Sequence, residues 1–247
     1  MNSKEILVIP DLQIPYQDRR SLNAVEQFIK EHKWDEIIQL GDFMDFDCIS
    51  SHNKNKLRQI EGKRLLLDYD EGNEILDRWQ KLTDAQITIL EGNHEFRVQN
   101  YIEANPQLEG WIEVPTCLKL KKRKINWIPF WSEGKTYDVG KATFIHGKVT
   151  TDFHTKKMAY TYGRNIFYGH THDIQCYSVQ TAGNDNTYVA QSLGCLCNYN
   201  QQYMRGGPSK WQQAVCVFHF YEDGFFTYNI IRIFKHRFFY EGIEYQG

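Results

Sequence analysis

Residues able to bind a metal ion recur along this chain just past short apolar runs. Asp11 and Gln13 follow Ile6-Leu7-Val8-Ile9, and Asp42 and Asp45 follow Glu36-Ile37-Ile38-Gln39-Leu40. Asn93 and His94 follow Gln86-Ile87-Thr88-Ile89-Leu90, His146 follows the run 142–145, and His170 and His172 follow the run 166–168. Oxygen donors mixed with imidazole suit divalent first-row metals such as Mn²⁺, Fe²⁺ or Zn²⁺, with no thiolate required. Taken one at a time, a Gly-Asp pair reads as a turn and a Gly-Asn-His as a loop with a helix cap. Five such clusters in order, each just past a strand, argue for one site. Loops beyond the carboxyl ends of parallel strands converge on a single crevice.

Those strands alternate with helices in the first half of the chain. The helix predicted over 19–31 carries Leu22, Val25, Phe28 and Ile29 at helical spacing, and a long charged helical stretch is predicted over 53–82. Such alternation implies parallel pairing with right-handed crossovers. From about Leu118 the pattern changes to short strand-like pieces at 125–130, 136–139, 142–145, 166–168, 174–180, 187–191, 215–221 and 225–233. Glu222-Asp223-Gly224 joins the last two as a hairpin turn, and one helix, about 152–162, interrupts the series. With no Pro-, Gly- or Ser-rich linker and no repeat, the expected fold class is α/β: a two-sheet α/β sandwich with flanking helices, residues 1–247 forming one domain.

Composition narrows the partners. A net charge of -2 gives no general attraction to nucleic acid or an anionic membrane, so polyanion binding must come from a local patch or from bound metal. No run of 18 apolar residues is present and the first residues lack a signal-peptide pattern, so no membrane contact and a cytoplasmic location are expected. The six cysteines are scattered without zinc-ribbon spacing, which fits cytoplasmic thiols. Cys195-Leu196-Cys197 is too close for a CxxC redox motif, and two-residue spacing puts both side chains on one side of a strand.

Asp11-x-Gln13, Gly41-Asp42-x-x-Asp45, Gly92-Asn93-His94-Glu95, His146-Gly147 and Gly169-His170-Thr171-His172 resemble the five blocks of the calcineurin-like metallophosphoesterases. The resemblance runs over about two thirds of the chain, and the whole pattern is similar to phosphoesterases of bacteriophages and prophages, which would place the protein in a host cytoplasm. It implies a metallophosphatase-like fold and two divalent metal ions. Mn²⁺ is the expected metal, with Mg²⁺, Fe²⁺, Ni²⁺ and Zn²⁺ as the others to test. By position it implies that Asp42 bridges the two, that Asp11, His172 and Gln13 hold one, and that Asn93, His146 and His170 hold the other. His94 would donate a proton to the leaving oxygen, with Asp45 setting its tautomer. The implied reaction is hydrolysis of a phosphate ester by metal-activated water, with the metals about 3.5–4 Å apart.

Two departures qualify the resemblance. Most family members have His where this chain has Gln13, and an amide oxygen is a harder, weaker donor than imidazole. Gln13 therefore either ligates weakly, the preferred reading, or holds a water. Phe46 follows Asp45 where protein phosphatases of the family carry an arginine that grips a phosphomonoester dianion. Its absence favours a phosphodiesterase acting on a nucleotide or nucleic acid. The alternatives are a phosphomonoesterase, including a protein phosphatase, and a catalytically weak scaffold that binds a partner. Arg97, one helical turn past His94, either meets substrate in place of that arginine or is a solvated helix residue. No feature of the sequence fixes the oligomeric state.

Four further features carry paired readings. The basic run 119–124 reads as a lysine-blocked strand edge or as a nucleic-acid contact. His154 reads as a surface histidine at a helix start or as a phosphate-facing group, and His52 as a cleft-border or ordinary loop residue. The unpatterned segment 192–211 reads as one wall of the cleft or as a packed connector.

Overall fold

The computed structural model describes residues 3–180, 187–200 and 209–247. Thirteen strands lie among them: β1 (Lys4–Ile9), β2 (Glu36–Gln39), β3 (Gln86–Leu90), β4 (Asn126–Ile128), β5 (Tyr137–Val139), β6 (Ala142–Ile145), β7 (Asn165–Tyr168), β8 (Cys176–Val179), β9 (Tyr188–Ser192), β10 (Ala214–Phe220), β11 (Phe226–Arg232), β12 (Arg237–Tyr240) and β13 (Ile243–Gln246). Eleven of them, β1 to β11, are those the sequence pattern outlines, with ends that agree to within two residues. One sheet runs β11-β10-β1-β2-β3-β4 and a second runs β5-β6-β7-β9-β8. β1 to β4 are mutually parallel, as are β6, β7 and β9, whereas β10 and β11 pair antiparallel at one edge.

The sheets face each other, which explains why the inner strands read as unbroken apolar runs. In β1, Ile6 and Val8 point into the layer between the sheets with Phe144, Phe167 and Phe218. Leu7 and Ile9 point the other way, onto Leu22, Val25, Phe28 and Ile29 of the helix Arg19–Glu31. A strand buried on both faces has no polar side to alternate with. Asp18 caps that helix, its Oδ1 accepting from the amide of Ser21 at 2.9 Å. On the outside of the second sheet, Met158 and Ala159 of the helix His154–Tyr162 pack on Ile145, Ile166 and Tyr168.

Four expectations are corrected. The helix predicted over 53–82 starts only at Leu65: a 3-10 turn and a short helix, Leu57–Ile60, precede it, and Gly62 turns the chain with φ of 78°. The basic run 119–124 is a single helical turn, Leu120–Arg123, flanked by Lys119 and Lys124 in the left-handed region, so it blocks no strand edge. Arg123 is spent internally, on Asp77 at 2.6 Å and the Leu118 carbonyl at 3.1 Å. The piece predicted as strand over 125–130 is divided between β4 and the helical turn Phe130–Glu133. Finally, the hairpin β12–β13 has no counterpart in the sequence reading. It covers the helix Arg19–Glu31 with Phe238, Tyr240 and Tyr245, whose rings meet Phe28 edge-on at 5.4, 4.9 and 5.1 Å.

No helix among the described residues is long and apolar enough to cross a membrane.

Candidate metal centre

All five clusters lie beyond the carboxyl ends of parallel strands: Asp11 and Gln13 after β1, Asp42 and Asp45 after β2, Asn93 and His94 after β3, His146 after β6, and His170 and His172 after β7. The first three strands belong to one sheet and the last two to the other, so the centre sits where the sheets meet. Asp11, Asp42 and His172 bring one donor atom each to within 4.8 Å of one another, and so do Asp42, His146 and His170. Asp42 is common to both groups. Asn93 joins the second, its Oδ1 lying 3.1 Å from His146 Nε2. Gln13 joins the first, its side chain 3.4 Å from His172 Nε2.

The loops hold unusual backbone to achieve this. Gln13, Asp42, His170 and His172 have φ of 55°, 48°, 67° and 60°, the left-handed region that costs residues with a Cβ. Two motif glycines are dictated by close approach. A Cβ on Gly92 would run into Asp42, and one on Gly169 into the Asp11 carboxylate. Glu95, a part of the third block given no role from sequence, ties the loops together: its carboxylate accepts from the amides of Asp42 at 2.9 Å, Met44 at 2.8 Å and Gly92 at 2.8 Å. Asp42 Oδ1 accepts from the His94 amide at 2.9 Å, and both Asp11 oxygens accept from the His170 amide, at 3.0 and 3.1 Å.

The ionisation of the cluster reflects burial set against close opposite charge. Burial would raise the Asp42 carboxyl, yet His146 and His94 hold it well below the usual range. Burial and the Asp42 carboxylate push Glu95 up to about 8. Burial disfavours charge on His146 and His172, but Asp42 beside the first and Asp11 beside the second raise each to about 9. His170 is lowered to about 3 by burial and by His146.

His94 stands beside the cluster. Its Nδ1 is 3.0 Å from Asp45 Oδ2, a close charge contact not aligned as a hydrogen bond, and its Nε2 is 3.6 Å from Asp42 Oδ2. Arg97 is no solvated helix residue: its Nη1 donates to the Asp45 carbonyl at 2.6 Å and to Asp45 Oδ1 at 3.0 Å, and its Nη2 sits 3.1 Å from His94 Nε2. Phe46 is fully buried against Tyr69. A cavity of about 710 Å³ opens beside His94, lined among others by Tyr16, His52, Asn53, Lys63, Arg97 and Asn200. His52 thus borders the cleft, as does Asn200 of the unpatterned segment. In that segment, residues 201–208, including Tyr203, Arg205, Gly206 and Gly207, lie outside the described residues.

Sequence reasoning misplaced His154 and passed over Trp131. His154 is buried, not a surface residue, between the Tyr168 hydroxyl at 2.7 Å from its Nδ1 and Asp173 at 3.1 Å from its Nε2. It braces the loop that carries His170 and His172. Trp131 packs 5.5 Å from His170 and 6.0 Å from His146, ring centre to ring centre. A Trp in an otherwise ordinary turn carries no local mark of this.

The calcineurin-like phosphoesterase family model matches residues 4–172. The chain belongs to that family. Its members are metal-dependent phosphoesterases, and this calcineurin-like phosphoesterase carries a donor set that fits two divalent ions. Two further observations agree with such a fit. The donors are carboxylate, amide oxygen and imidazole, and Gln13 Oε1 is buried with no hydrogen-bond partner. The chain is 28% identical over 235 residues to the Gene 54 protein of Mycobacterium phage L5, covering 87% of this chain and 88% of that protein. The Gene 54 protein of Mycobacterium phage D29 is likewise 28% identical, over 230 residues, with 86% and 87% covered. Among solved structures, Vps29 of Chaetomium thermophilum superposes with a TM-score of 0.50 at 12% identity over 98% of both chains. The same protein in complex with a RaPID-derived cyclic peptide gives 0.51 at 12% identity, over 99% of this chain and 94% of that one. At such identity the likeness is one of fold.

Proposed function

We propose that this calcineurin-like phosphoesterase hydrolyses a phosphodiester, the substrate being a nucleotide or nucleic acid. The observation that carries the hydrolytic reading is that Asp42 belongs to both donor groups while His94, backed by Asp45, faces the same space. Asp11, Gln13, Asp42 and His172 would hold one divalent ion and Asp42, Asn93, His146 and His170 the other. When bound, the two ions supply Lewis acidity towards the phosphate oxygens and an acidified water.

The chain's own residues do the rest. Asp42 supplies the one charge that both groups share, and Asn93 adds an oxygen without adding charge, which keeps the centre receptive to an anion. Arginine only donates, so Arg97 beside His94 Nε2 leaves that nitrogen as acceptor and the ring proton on Nδ1, towards Asp45. Protonated on both nitrogens, His94 would present an N–H to the leaving oxygen, and the Asp45 carboxylate would stabilise that imidazolium. Mn²⁺ is the metal we favour, because Gln13 replaces an imidazole by a harder oxygen donor.

Preference for a diester rests on two residues. Phe46 is turned into the core where a phosphate-gripping cation would stand, and Arg97 is engaged with Asp45. A diester presents fewer charged terminal oxygens and needs such a cation less. The cavity beside His94, with the Tyr16 ring and amides of Asn53 and Asn200 in its lining, suits a nucleoside. The test is a comparison of bis-(p-nitrophenyl) phosphate with p-nitrophenyl phosphate across Mn²⁺, Mg²⁺, Ni²⁺ and Zn²⁺. The diester should be cleaved faster with the preferred metal. Faster cleavage of the monoester overturns the diester preference, and no cleavage of either with any metal overturns the hydrolytic reading.

A further inference from the structure

The closely spaced thiols find a neighbour in the fold. Cys195 and Cys197 are fully buried, and their sulfurs lie with a ring nitrogen of His172 within 4.8 Å of one another. The nitrogen concerned is Nδ1, 3.7 Å from Cys197 Sγ, whereas Nε2 is turned to Asp11 Oδ1 at 3.3 Å. One imidazole therefore has two faces: one towards the carboxylates, one towards the sulfurs.

The segment that carries the thiols is pinned on both sides. The Cys195 amide donates to the Gln212 carbonyl at 3.0 Å and the Leu196 amide to the Asp11 carbonyl at 2.8 Å. The Ala214 amide donates to the Cys195 carbonyl at 3.2 Å, and Gln213 Nε2 to the Cys197 carbonyl at 3.1 Å. Extended backbone at two-residue spacing turns both sulfurs to one side, and these bonds fix them there. The Trp211 ring closes over His172, edge-on at 4.3 Å. Cys216 shows what a merely packed thiol looks like in this protein. It is fully buried in the apolar layer between the sheets, with its Sγ 4.0 Å from the Val217 carbonyl.

We propose that Cys195 Sγ, Cys197 Sγ and His172 Nδ1 form a binding site for a thiophilic cation such as Cu⁺, Zn²⁺ or Cd²⁺, directly behind the carboxylate-facing side of His172. Two thiolates and an imidazole are a soft donor set, distinct from the oxygen-rich set a few ångströms away. On binding, two S–H bonds are exchanged for two metal–sulfur bonds, and the two thiol protons, with the second ring proton where His172 is an imidazolium, pass to water with no change of oxidation state. His172 Nδ1 must offer its lone pair, so the remaining ring proton moves to Nε2. A protonated Nε2 donates to Asp11 Oδ1, 3.3 Å away, and keeps no lone pair for a divalent ion, so loading the sulfur site weakens the hold on such an ion there.

The experiment is a Cd²⁺ titration of the reduced, metal-stripped full chain, read by thiolate-to-metal charge-transfer absorption in the ultraviolet. Saturation at one thiolate-bound Cd²⁺ per chain is expected, with the band abolished in Cys195→Ser and in Cys197→Ser and retained in Cys48→Ser/Cys117→Ser/Cys176→Ser. Circular dichroism establishes that each variant is folded. Should either serine variant fail to fold, ¹¹³Cd resonances of the unsubstituted chain decide instead: a shift in the mixed sulfur–nitrogen range supports the site, and oxygen–nitrogen shifts alone overturn it. Loss of the band in the triple variant, or its survival in Cys195→Ser or Cys197→Ser, overturns the proposal. A second readout is Mn²⁺ occupancy measured by electron paramagnetic resonance, which should fall by about half as Cd²⁺ fills the sulfur site. Unchanged Mn²⁺ occupancy at full charge-transfer signal overturns the linkage through His172.

Discussion

The two donor groups that share Asp42 are built on different principles. In the group with His146 and His170, the imidazoles are held from behind by firm partners. His146 Nδ1 donates to the Leu40 carbonyl at 2.9 Å, and Trp131 packs against both rings. That leaves His146 Nε2 free to ligate and fixes the tautomer. The group with Asp11 is looser. Gln13 carries a buried oxygen with no partner, and His172 rests its back on a sulfur at 3.7 Å instead of a carbonyl. In the proposed centre the half with His146 and His170 is the more firmly held, and the half with Asp11 is the looser.

Asp42 is common to both halves, so its loss should have the largest effect. Asp42→Asn keeps the volume and loses the charge, so both ions should be lost together and hydrolysis should fall to background with the fold intact. Metal analysis per chain alongside circular dichroism checks this, and retention of two ions with normal turnover would reject Asp42 as the shared ligand. His94→Asn removes no member of either donor group, although His94 lies 3.6 Å from Asp42. Full metal occupancy should persist, with cleavage of esters of poor leaving groups slowed by about 10²–10⁴-fold and p-nitrophenyl esters affected less. A uniform loss across leaving groups, or a lost ion, removes His94 from the proton-donor role.

Gln13→His addresses the looser half alone. Imidazole should tighten Zn²⁺ or Ni²⁺ there by about tenfold, or ~1.4 kcal/mol, and move the activity optimum away from Mn²⁺. Isothermal titration of stripped chains measures it, and identical titrations for both chains would mean that position 13 does not ligate. The smallest effect is expected from His154→Gln, which disturbs the brace behind the loop of His170 and His172. A stability loss of about 1–3 kcal/mol in urea unfolding should follow, with metal stoichiometry kept. No change in the unfolding midpoint would show that the Tyr168–His154–Asp173 contacts brace nothing.

The parts legible from sequence are those with a local cause. β6 and the helix Arg19–Glu31 have the ends the pattern predicts, because an apolar run and an amphipathic period need no distant partner to be recognised. The order of the five clusters was likewise visible, since each follows a strand. What stayed hidden depends on contacts far along the chain. His154 looks like a surface residue until Asp173 and Tyr168 close around it. Glu95 looks like one more charge until three amides converge on it. The β12–β13 hairpin fills a hydrophobic surface on the first helix, a need that nothing in residues 237–246 announces.

The left-handed backbone at Gln13, Asp42, His170 and His172 has a consequence for the life of the molecule without its ions. The awkward geometry is imposed by sheet ends and amide bonds, which persist when metal is removed. These bonds would hold the loops in one conformation with or without the proposed ions. Chelation should lower the melting temperature by the binding free energy of the proposed ions, and reloading should proceed with no refolding of the loops. Such a protein can trade one ion for another as supply in its surroundings shifts, keeping the scaffold constant while the occupant changes.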